Sequence, residues 1–214
     1  MPYSFFPMIA RMKYITRWGL MRNTDPENIQ EHSHMVAVLA HALAVIHNEK
    51  FGGQVDAGAV AVAALYHDAS EILTGDMPTP IKYDNPDIQG AYKSVEAMAE
   101  RKLLSMLPEE FQPIYEEILT IPDPEVRALV KAADKLSAYL KCVEERKAGN
   151  AEFRSAEEQT YAALRDNPLP ALDYFMDRFL PGFQLTLDEL QRCGEELIGQ
   201  TQMDLTSGKD GQAQ

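Results

Sequence analysis

Apolar residues recur every three or four positions along most of the chain, a spacing typical of amphipathic helices rather than strands. Residues 4–16 show the first such stripe. Asn28, followed three positions later by Glu31, has the pattern of a capping box and predicts the start of a second helix. The predicted buried stripe of that helix consists of Val36, Leu39, Leu43 and Ile46.

Turn and cap residues divide the remaining chain into further predicted helices. Asp56 can cap a third helix, which carries Glu71 and which Gly75 is expected to end. Pro78 and Pro80 exclude helix from the loop that follows. Pro124 opens a long helix after Asp123. The other predicted helices cover residues 86–106, a shorter stretch between 108 and 121, 153–164, 172–179 and 186–198.

These patterns predict an all-α fold, an irregular bundle of about seven to nine helices. The 214 residues suffice for one well-buried domain, which we expect over residues 1–199. Residues 200–214 are polar and contain Gly and Ser, so we expect a disordered C-terminal tail there.

Charge and cysteine usage narrow the function classes. A net charge of −13 argues against binding a nucleic-acid polymer or an anionic membrane, because both need a basic surface. Cys142 and Cys193 form no CxxC pattern, and we expect both to be buried free thiols in a reducing cytoplasm. Arg11 and Lys13 interrupt the N-terminal apolar run, and no stretch has the length of a membrane span, so a cytoplasmic location is expected.

Three ionisable residues interrupt the apolar third helix. On an α-helix His67 and Glu71 lie one turn apart, and Asp68 lies on the same side as Glu71. An imidazole and two carboxylates directed towards a core need a partner, and a divalent metal ion would provide one. The alternative is a helix end whose polar groups are simply solvated.

His32 and Asp134 extend this set to other helices. A lone His on an apolar stripe is more often a hydrogen-bonded core residue than a ligand, and a carboxylate at a helix edge is usually solvated. His32, His67, Asp68 and Asp134 together form a mixed nitrogen and oxygen ligand set for Zn, Mn, Fe or Co. Four protein ligands leave positions open on an octahedral metal, which favours catalysis over a structural role.

Arg17 and Trp18, the only tryptophan of the chain, offer a second kind of chemistry. An arginine can clamp a phosphate, and the indole can form a wall for a sugar or base. In the alternative interpretation the tryptophan closes the core and the arginine faces water.

The ordered set of His, His-Asp and a distant Asp resembles the HD-domain metal-dependent phosphohydrolase superfamily. Longer stretches resemble bacterial 5′-deoxynucleotidases of the YfbR type, and the likeness extends from near residue 5 to about residue 190. The stretches that carry it are Arg17-Trp18 and residues 28–33, 66–71, 73–82 and 138–142.

The resemblance implies hydrolysis of deoxyribonucleoside 5′-monophosphates to deoxynucleoside and phosphate, with little selectivity among bases. It also implies a homodimer and one divalent metal ion of the Co, Mn or Zn class, with cobalt favoured. By resemblance the metal ligands are His32, His67, Asp68 and Asp134. The catalytic residues are Glu71 and Arg17, and the substrate-binding residues are Arg17, Trp18, Asp76, Met77, Pro78 and Thr79.

Other functions use parts of the same pattern. A cyclic-nucleotide phosphodiesterase or a nucleoside triphosphate hydrolase would keep the metal, but such enzymes commonly need added helices or other motifs. A non-catalytic nucleotide-binding module is expected to lose a ligand or Glu71, and none is lost here. Whether Glu71 acts as general acid or general base stays open.

Overall fold

The computed structural model of the protein describes residues 2–78, 81 and 85–194. Among these residues the regular elements are helical, apart from one isolated antiparallel bridge between Thr16 and Asn28. The chain separates into two compact units, Met1–Phe175 and Met176–Gln214. The predicted all-α fold is confirmed.

Nine α-helices are complete within the described residues and are numbered here in chain order. They are α1 (Phe5–Ile9), α2 (Ile29–Phe51), α3 (Ala57–Tyr66), α4 (Glu71–Thr74), α5 (Pro86–Leu104), α6 (Gln112–Thr120), α7 (Pro124–Lys147), α8 (Arg154–Arg165) and α9 (Pro170–Arg178). Short 3-10 helices cover Met12–Tyr14, Glu109–Phe111, Ala151–Phe153 and Leu180–Gln184. Residues 187–194 are also helical.

The predicted capping residues form the helix ends. The side chain of Asn28 accepts hydrogen bonds from the N–H groups of Gln30 and Glu31, and the Glu31 carboxylate accepts one from the Asn28 N–H, so the capping box is present. Gly52 ends α2 with a φ of +75°, a conformation that glycine adopts without strain. Asp123 caps α7, and Pro124 is its first residue.

The core of the first unit is built around α2, which packs against α3 and α7. The predicted stripe of α2 is buried, and it meets buried residues of the other two helices. These are Val36, Leu39, Leu43 and Ile46 from α2, Val60 and Ala64 from α3, and Leu129, Ala133 and Leu136 from α7. This three-helix core fixes the positions of the polar side chains that emerge from the same helices.

A second apolar cluster holds the segment that follows α3. It contains Phe5, Ala69, Leu103, Leu104, Leu107 and Leu119. Ala69 is fully buried in it, so the chain between α3 and α4 is anchored to α1, α5 and α6.

The helix predicted over residues 4–16 is shorter than expected. α1 ends at Ile9, and a single 3-10 turn follows. The chain then becomes extended, because the Arg17 N–H donates to the Glu27 carbonyl and the Ile29 N–H donates to the Ile15 carbonyl. This backbone pairing competes with helix at residues 15–17.

The prediction that both cysteines are buried is confirmed for Cys142 and wrong for Cys193. Cys142 is fully buried on α7, and burial raises the pKa of its thiol to about 12. Cys193 is exposed, as are most residues of the helical stretch 187–194 that carries it. No helix among the described residues has both the length and the apolar character needed to cross a membrane. The predicted tail 200–214 lies outside the described residues, and the domain extent 1–199 stays a prediction.

Candidate active site

The expected continuous helix through His67 and Glu71 is interrupted. α3 ends at Tyr66, and α4 begins at Glu71. The hydrogen bonds in between join residues three apart, from Ala69 N–H to the Tyr66 carbonyl at 2.9 Å and from Glu71 N–H to the Asp68 carbonyl at 3.0 Å. Such bonds form a tighter turn than an α-helix. On this turn the neighbouring side chains converge, with His67 Nε2 3.2 Å from Asp68 Oδ2.

Two other helices bring polar groups to the same point. His32 on α2 is fully buried, and its Nε2 lies 3.0 Å from Asp134 Oδ1 on α7 and 3.6 Å from Asp68 Oδ2. His67 Nε2 lies 4.0 Å from the same Asp134 oxygen. The Asp134 side chain is 41% exposed, so the cluster is open to solvent on that side. The structure thus brings together the four predicted metal ligands.

The outer nitrogens of both imidazoles are engaged by the protein. His67 Nδ1 donates to the Ala64 carbonyl at 2.7 Å, and His32 Nδ1 lies 3.1 Å from the Ser137 hydroxyl. A hydrogen bond at Nδ1 fixes the ring orientation and directs Nε2 to the centre of the cluster. Metal-ligating histidines are commonly held in this way.

The donor set fits a divalent metal ion. The Nε2 atoms of His32 and His67 and an oxygen of Asp68 lie within 4.8 Å of one another. Within the part of the chain that the structure describes, the buried Nε2 of His67 makes no hydrogen bond, although Asp68 Oδ2 is close. A buried imidazole nitrogen without a hydrogen bond, facing carboxylates, is suited to bind a cation.

The electrostatics of the cluster keep its carboxylates charged. Burial alone would lower the pKa of His67, but the Asp68 carboxylate outweighs burial and raises it to about 9. Burial would raise the pKa of Asp68, but the His67 imidazole outweighs this and lowers it to about 2. The pKa of Asp134 is likewise lowered, because its hydrogen bond to His32 outweighs burial. Both carboxylates are therefore ionised at neutral pH, as cation ligands must be.

Arg17 lies beside this cluster. Its Nη1 donates to Asp68 Oδ2 at 3.3 Å, and its Nε donates to Glu27 Oε2 at 3.0 Å. The guanidinium side chain is only 12% exposed. This contact contradicts the alternative in which the arginine faces water, and it places a fixed positive charge next to the candidate metal ligands.

Trp18 is held from several directions. Its Nε1 donates to Glu27 Oε2 at 3.0 Å, its backbone N–H donates to Asp76 Oδ2 at 3.3 Å, and its ring centroid lies 5.2 Å from that of Phe153. Its φ of +58° is in the left-handed region, which a bulky side chain rarely adopts. The surrounding contacts maintain this conformation, a pattern that occurs most often at functional sites.

A buried charge network anchors the loop that carries these residues. Glu145 on α7 accepts hydrogen bonds from the N–H groups of Thr24 and Asp25 and from the side chains of Asn150 and Lys141. Lys141 also donates to the Asp25 carbonyl. Hydrogen bonding, with that from Lys141 the largest contribution, outweighs the effect of burial and lowers the pKa of Glu145 to about 2.

The remaining predicted site residues lie on and after α4. Glu71 is the first residue of α4, and its side chain is buried. Asp76 contacts the backbone of Trp18, as described above, and Met77 and Pro78 are half-buried. Thr79 lies outside the described residues. The roles predicted for these five residues stay predictions.

Three residues of the site were not predicted from the sequence. Glu27 binds both Arg17 and Trp18, Ser137 binds His32, and Glu145 anchors the loop. Ser137 follows Asp134 by three positions on α7, so helical spacing could have indicated it. Glu27 lies in a loop, where no periodicity indicates which side chains meet.

Comparison with known proteins finds relatives over most of the chain. Residues 4–183 match the family described as 5′-deoxynucleotidase YfbR-like. The chain is 52% identical over 189 residues to a 5′-deoxynucleotidase of Shewanella oneidensis, and the match covers 87% of this chain and 97% of that relative.

Two solved structures share the fold. An HD-domain phosphohydrolase from Listeria innocua has a TM-score of 0.74 at 24% identity, covering 92% of this chain and 98% of that one. The cyanophage S-2L HD phosphohydrolase DatZ, bound to dA and one catalytic Zn²⁺ ion, has a TM-score of 0.61 at 26% identity, covering 84% and 96%. The predicted HD-domain fold is confirmed.

Proposed function

The chain belongs to the family of YfbR-like 5′-deoxynucleotidases, and from this premise we propose which of its residues carry out the reaction. The protein is a metal-dependent phosphomonoesterase that converts a deoxyribonucleoside 5′-monophosphate and water to deoxynucleoside and phosphate. The observation that carries the assignment of the site is the convergence of the His32 and His67 Nε2 atoms with the carboxylates of Asp68 and Asp134.

We propose that these four side chains hold one divalent ion of the Co, Mn or Zn class. A divalent ion there would neutralise phosphate charge and make water more acidic, which is what hydrolysis of an anionic ester requires. The family resemblance favours cobalt, whereas the cyanophage relative holds zinc. The nitrogen and oxygen donors of the cluster are compatible with each of these metals.

Arg17 is the proposed phosphate-binding residue. Its Nε is engaged by Glu27 and its Nη1 by Asp68, so the guanidinium end that carries the two Nη atoms borders the cluster. Hydrogen bonds from this end to phosphoryl oxygens would place the phosphorus atom next to the metal ligands. They would also stabilise the charge that these oxygens carry in the transition state.

Glu71 is the proposed proton-transfer residue. It follows Asp68 by three positions, is 5% exposed, and is fixed at the start of α4 by the hydrogen bond from its N–H to the Asp68 carbonyl. A carboxylate near the reacting phosphate can take a proton from the attacking water or donate one to the departing 5′ oxygen. Both roles require Glu71 to retain an ionisable group.

Trp18 and the loop Asp76–Thr79 are proposed to contact the nucleoside. The fixed indole would pack against the deoxyribose, where a ribose 2′-hydroxyl would clash or lose its solvation. Asp76 supports this arrangement because it accepts the hydrogen bond from the Trp18 N–H. Met77 and Pro78 follow Asp76, and these two residues together with Thr79 are proposed to complete the substrate contacts.

The assignment of metal ligands is tested by metal content. His32→Ala and Asp134→Ala should each lose most of the bound metal after passage over a desalting column. The control is His34→Ala, which replaces an exposed histidine on the same helix as His32 and should keep the metal. Metal analysis of the purified variants reads this out. Full retention in His32→Ala or Asp134→Ala would remove that residue from the ligand set.

The homodimer implied by the resemblance and a cytoplasmic location are also proposals. Light scattering on the purified protein should give about twice the monomer mass of 24.0 kDa. A mass equal to that of one chain would contradict the dimer. Fractionation of cells that express the protein would test its location.

A further inference from the structure

A single carboxylate oxygen of Glu27 joins the side chains of Arg17 and Trp18, which are proposed to bind the substrate. Oε2 accepts one hydrogen bond from Arg17 Nε and one from Trp18 Nε1, each at 3.0 Å. The side chains of Glu27 and Arg17 are 15% and 12% exposed, so water competes only weakly for these bonds. Charged hydrogen bonds in such surroundings are among the stronger ones in proteins.

The backbone places Glu27 directly opposite Arg17. The Arg17 N–H donates to the Glu27 carbonyl at 2.9 Å, next to the bridge between Thr16 and Asn28. Both the main chain and the side chain of Glu27 therefore bind the Arg17–Trp18 segment. A displacement of this carboxylate would be transmitted to two neighbouring side chains at once.

The two bonds determine how each side chain faces the site. The hydrogen bond from Arg17 engages Nε, so the end of the guanidinium that carries the two Nη atoms borders Asp68. The hydrogen bond from Trp18 engages Nε1 and fixes the orientation of the indole, on a residue whose backbone φ is already positive. Phe153 packs near the ring but supplies no hydrogen-bond acceptor for Nε1, so the polar constraint on the indole comes from Glu27.

We propose that Glu27 is a positioning residue that orients Arg17 and Trp18 together and so couples phosphate binding to deoxyribose selectivity. This inference rests on the proposed function of Arg17 and Trp18. It predicts that one substitution, at a residue that does not touch the substrate, changes both properties in the same variant. A carboxylate that only neutralised Arg17 would alter phosphate binding and leave sugar selectivity intact.

The test compares Glu27→Ala and Glu27→Gln with the full-length metal-loaded protein, using dAMP and AMP as substrates. Glu27→Ala should raise KM for dAMP about tenfold, the usual effect of losing a hydrogen bond to a charged group. The ratio of kcat/KM for dAMP to that for AMP should fall at least about threefold in the same variant, because the indole loses one fixed orientation. Glu27→Gln keeps an acceptor oxygen and should recover part of the selectivity.

A second measurement reads the position of the indole without turnover. Trp18 is the only tryptophan in the chain, so intrinsic fluorescence reports on it alone. Glu27→Ala should shift the emission of Trp18 and increase its quenching by acrylamide. In both measurements Glu27→Gln should give values between those of Glu27→Ala and of the unsubstituted protein. The matched control is Glu152→Gln. The exposed carboxylate of Glu152 accepts a hydrogen bond from the N–H of Arg22, on the loop that also carries Trp18, and its replacement should leave all these values unchanged.

The outcomes separate this inference from the proposed function. Unchanged KM, selectivity and fluorescence in Glu27→Ala would overturn the inference, and so would an equal loss of kcat on both substrates with the other values intact. If Glu27→Ala does not fold, the same criteria apply to Glu27→Gln. If the unsubstituted protein releases phosphate from neither nucleotide, the proposed function fails, while the fluorescence still decides whether Glu27 positions Trp18.

Discussion

Arg17 and Asp68 are joined by a hydrogen bond of 3.3 Å between Nη1 and Oδ2. Asp68 is a proposed metal ligand and Arg17 is the proposed phosphate-binding residue, so this bond links the two halves of the site across 51 positions of sequence. It places the arginine charge where a phosphate bound next to the metal would meet it. This position of the arginine suits binding of an anionic phosphate rather than of an uncharged nucleoside.

Glu71→Gln should lower kcat for dAMP by roughly 100- to 10,000-fold, the usual contribution of a general acid or base. The amide keeps the shape of the side chain but cannot transfer a proton, so metal content and KM should stay close to those of the unsubstituted protein. Steady-state kinetics with metal analysis would check this. Glu158→Gln, at an exposed position of α8, is the matched control, and a kcat for Glu71→Gln equal to that of the control would refute the catalytic role.

Trp18→Ala should narrow the difference between deoxyribonucleotides and ribonucleotides. Removal of the indole opens space beside the sugar, so the rate with AMP should rise relative to that with dAMP. Trp18→Phe keeps an aromatic wall and should retain more of the selectivity. The kcat/KM ratio for the two substrates measures the effect, and an unchanged ratio in Trp18→Ala would rule out the steric account.

Metal binding should release a proton near neutral pH. The pKa of His67 is raised to about 9 in the metal-free protein, so its imidazole is protonated at pH 7 and must lose that proton to bind a cation. Apparent metal affinity should therefore increase with pH up to about 9 and then level off. Calorimetric titration with Mn²⁺ in two buffers of different ionisation enthalpy would detect the proton.

A metal-binding enthalpy that does not depend on the buffer at pH 7 would contradict this assignment. His34→Ala provides the control, because this exposed histidine should not change the number of protons released.

Glu145→Gln should destabilise the protein most at neutral pH. The pKa of Glu145 in the folded protein is lowered from an ordinary value of 4.5 to about 2, so its carboxylate stabilises the fold above pH 4.5. This contribution is lost as the pH falls from 4.5 towards 2. The difference in denaturation midpoint between Glu145→Gln and the unsubstituted protein should shrink over that range.

Urea denaturation at several pH values would measure that difference. Glu158→Gln, at an exposed position of α8, should behave like the unsubstituted protein. A difference for Glu145→Gln that stays constant between pH 7 and pH 2.5 would show that the charge of Glu145 does not stabilise the loop.

Local signals in the sequence predicted much of the fold. The capping box of Asn28 and Glu31, the glycine stop at Gly75 and the Asp123-Pro124 start are confirmed because each depends only on residues a few positions apart. The break after Tyr66 was missed. No glycine or proline marks it, and the turn is held by the burial of Ala69 in a cluster formed with distant helices.

Helical spacing and the family resemblance predicted only part of the site. The inward direction of His32 follows from its place on the apolar stripe of α2, and this prediction is confirmed. The meeting of His32 with Asp134 depends on how α2 packs against α7, which no local pattern encodes. Glu27 was also missed. Its contacts with Arg17 and Trp18 arise where two extended segments pair, and no local pattern encodes that pairing.

This protein removes phosphate from deoxyribonucleoside 5′-monophosphates, and the metal that it needs is proposed to be bound by His32, His67, Asp68 and Asp134. The most direct test is phosphate release from dAMP and AMP, measured side by side after chelation and again after addition of Co²⁺, Mn²⁺ or Zn²⁺. Chelation should abolish release, and a metal should restore it with dAMP and much less with AMP. Release that survives chelation, or no release from dAMP with any of the three metals, would contradict this assignment.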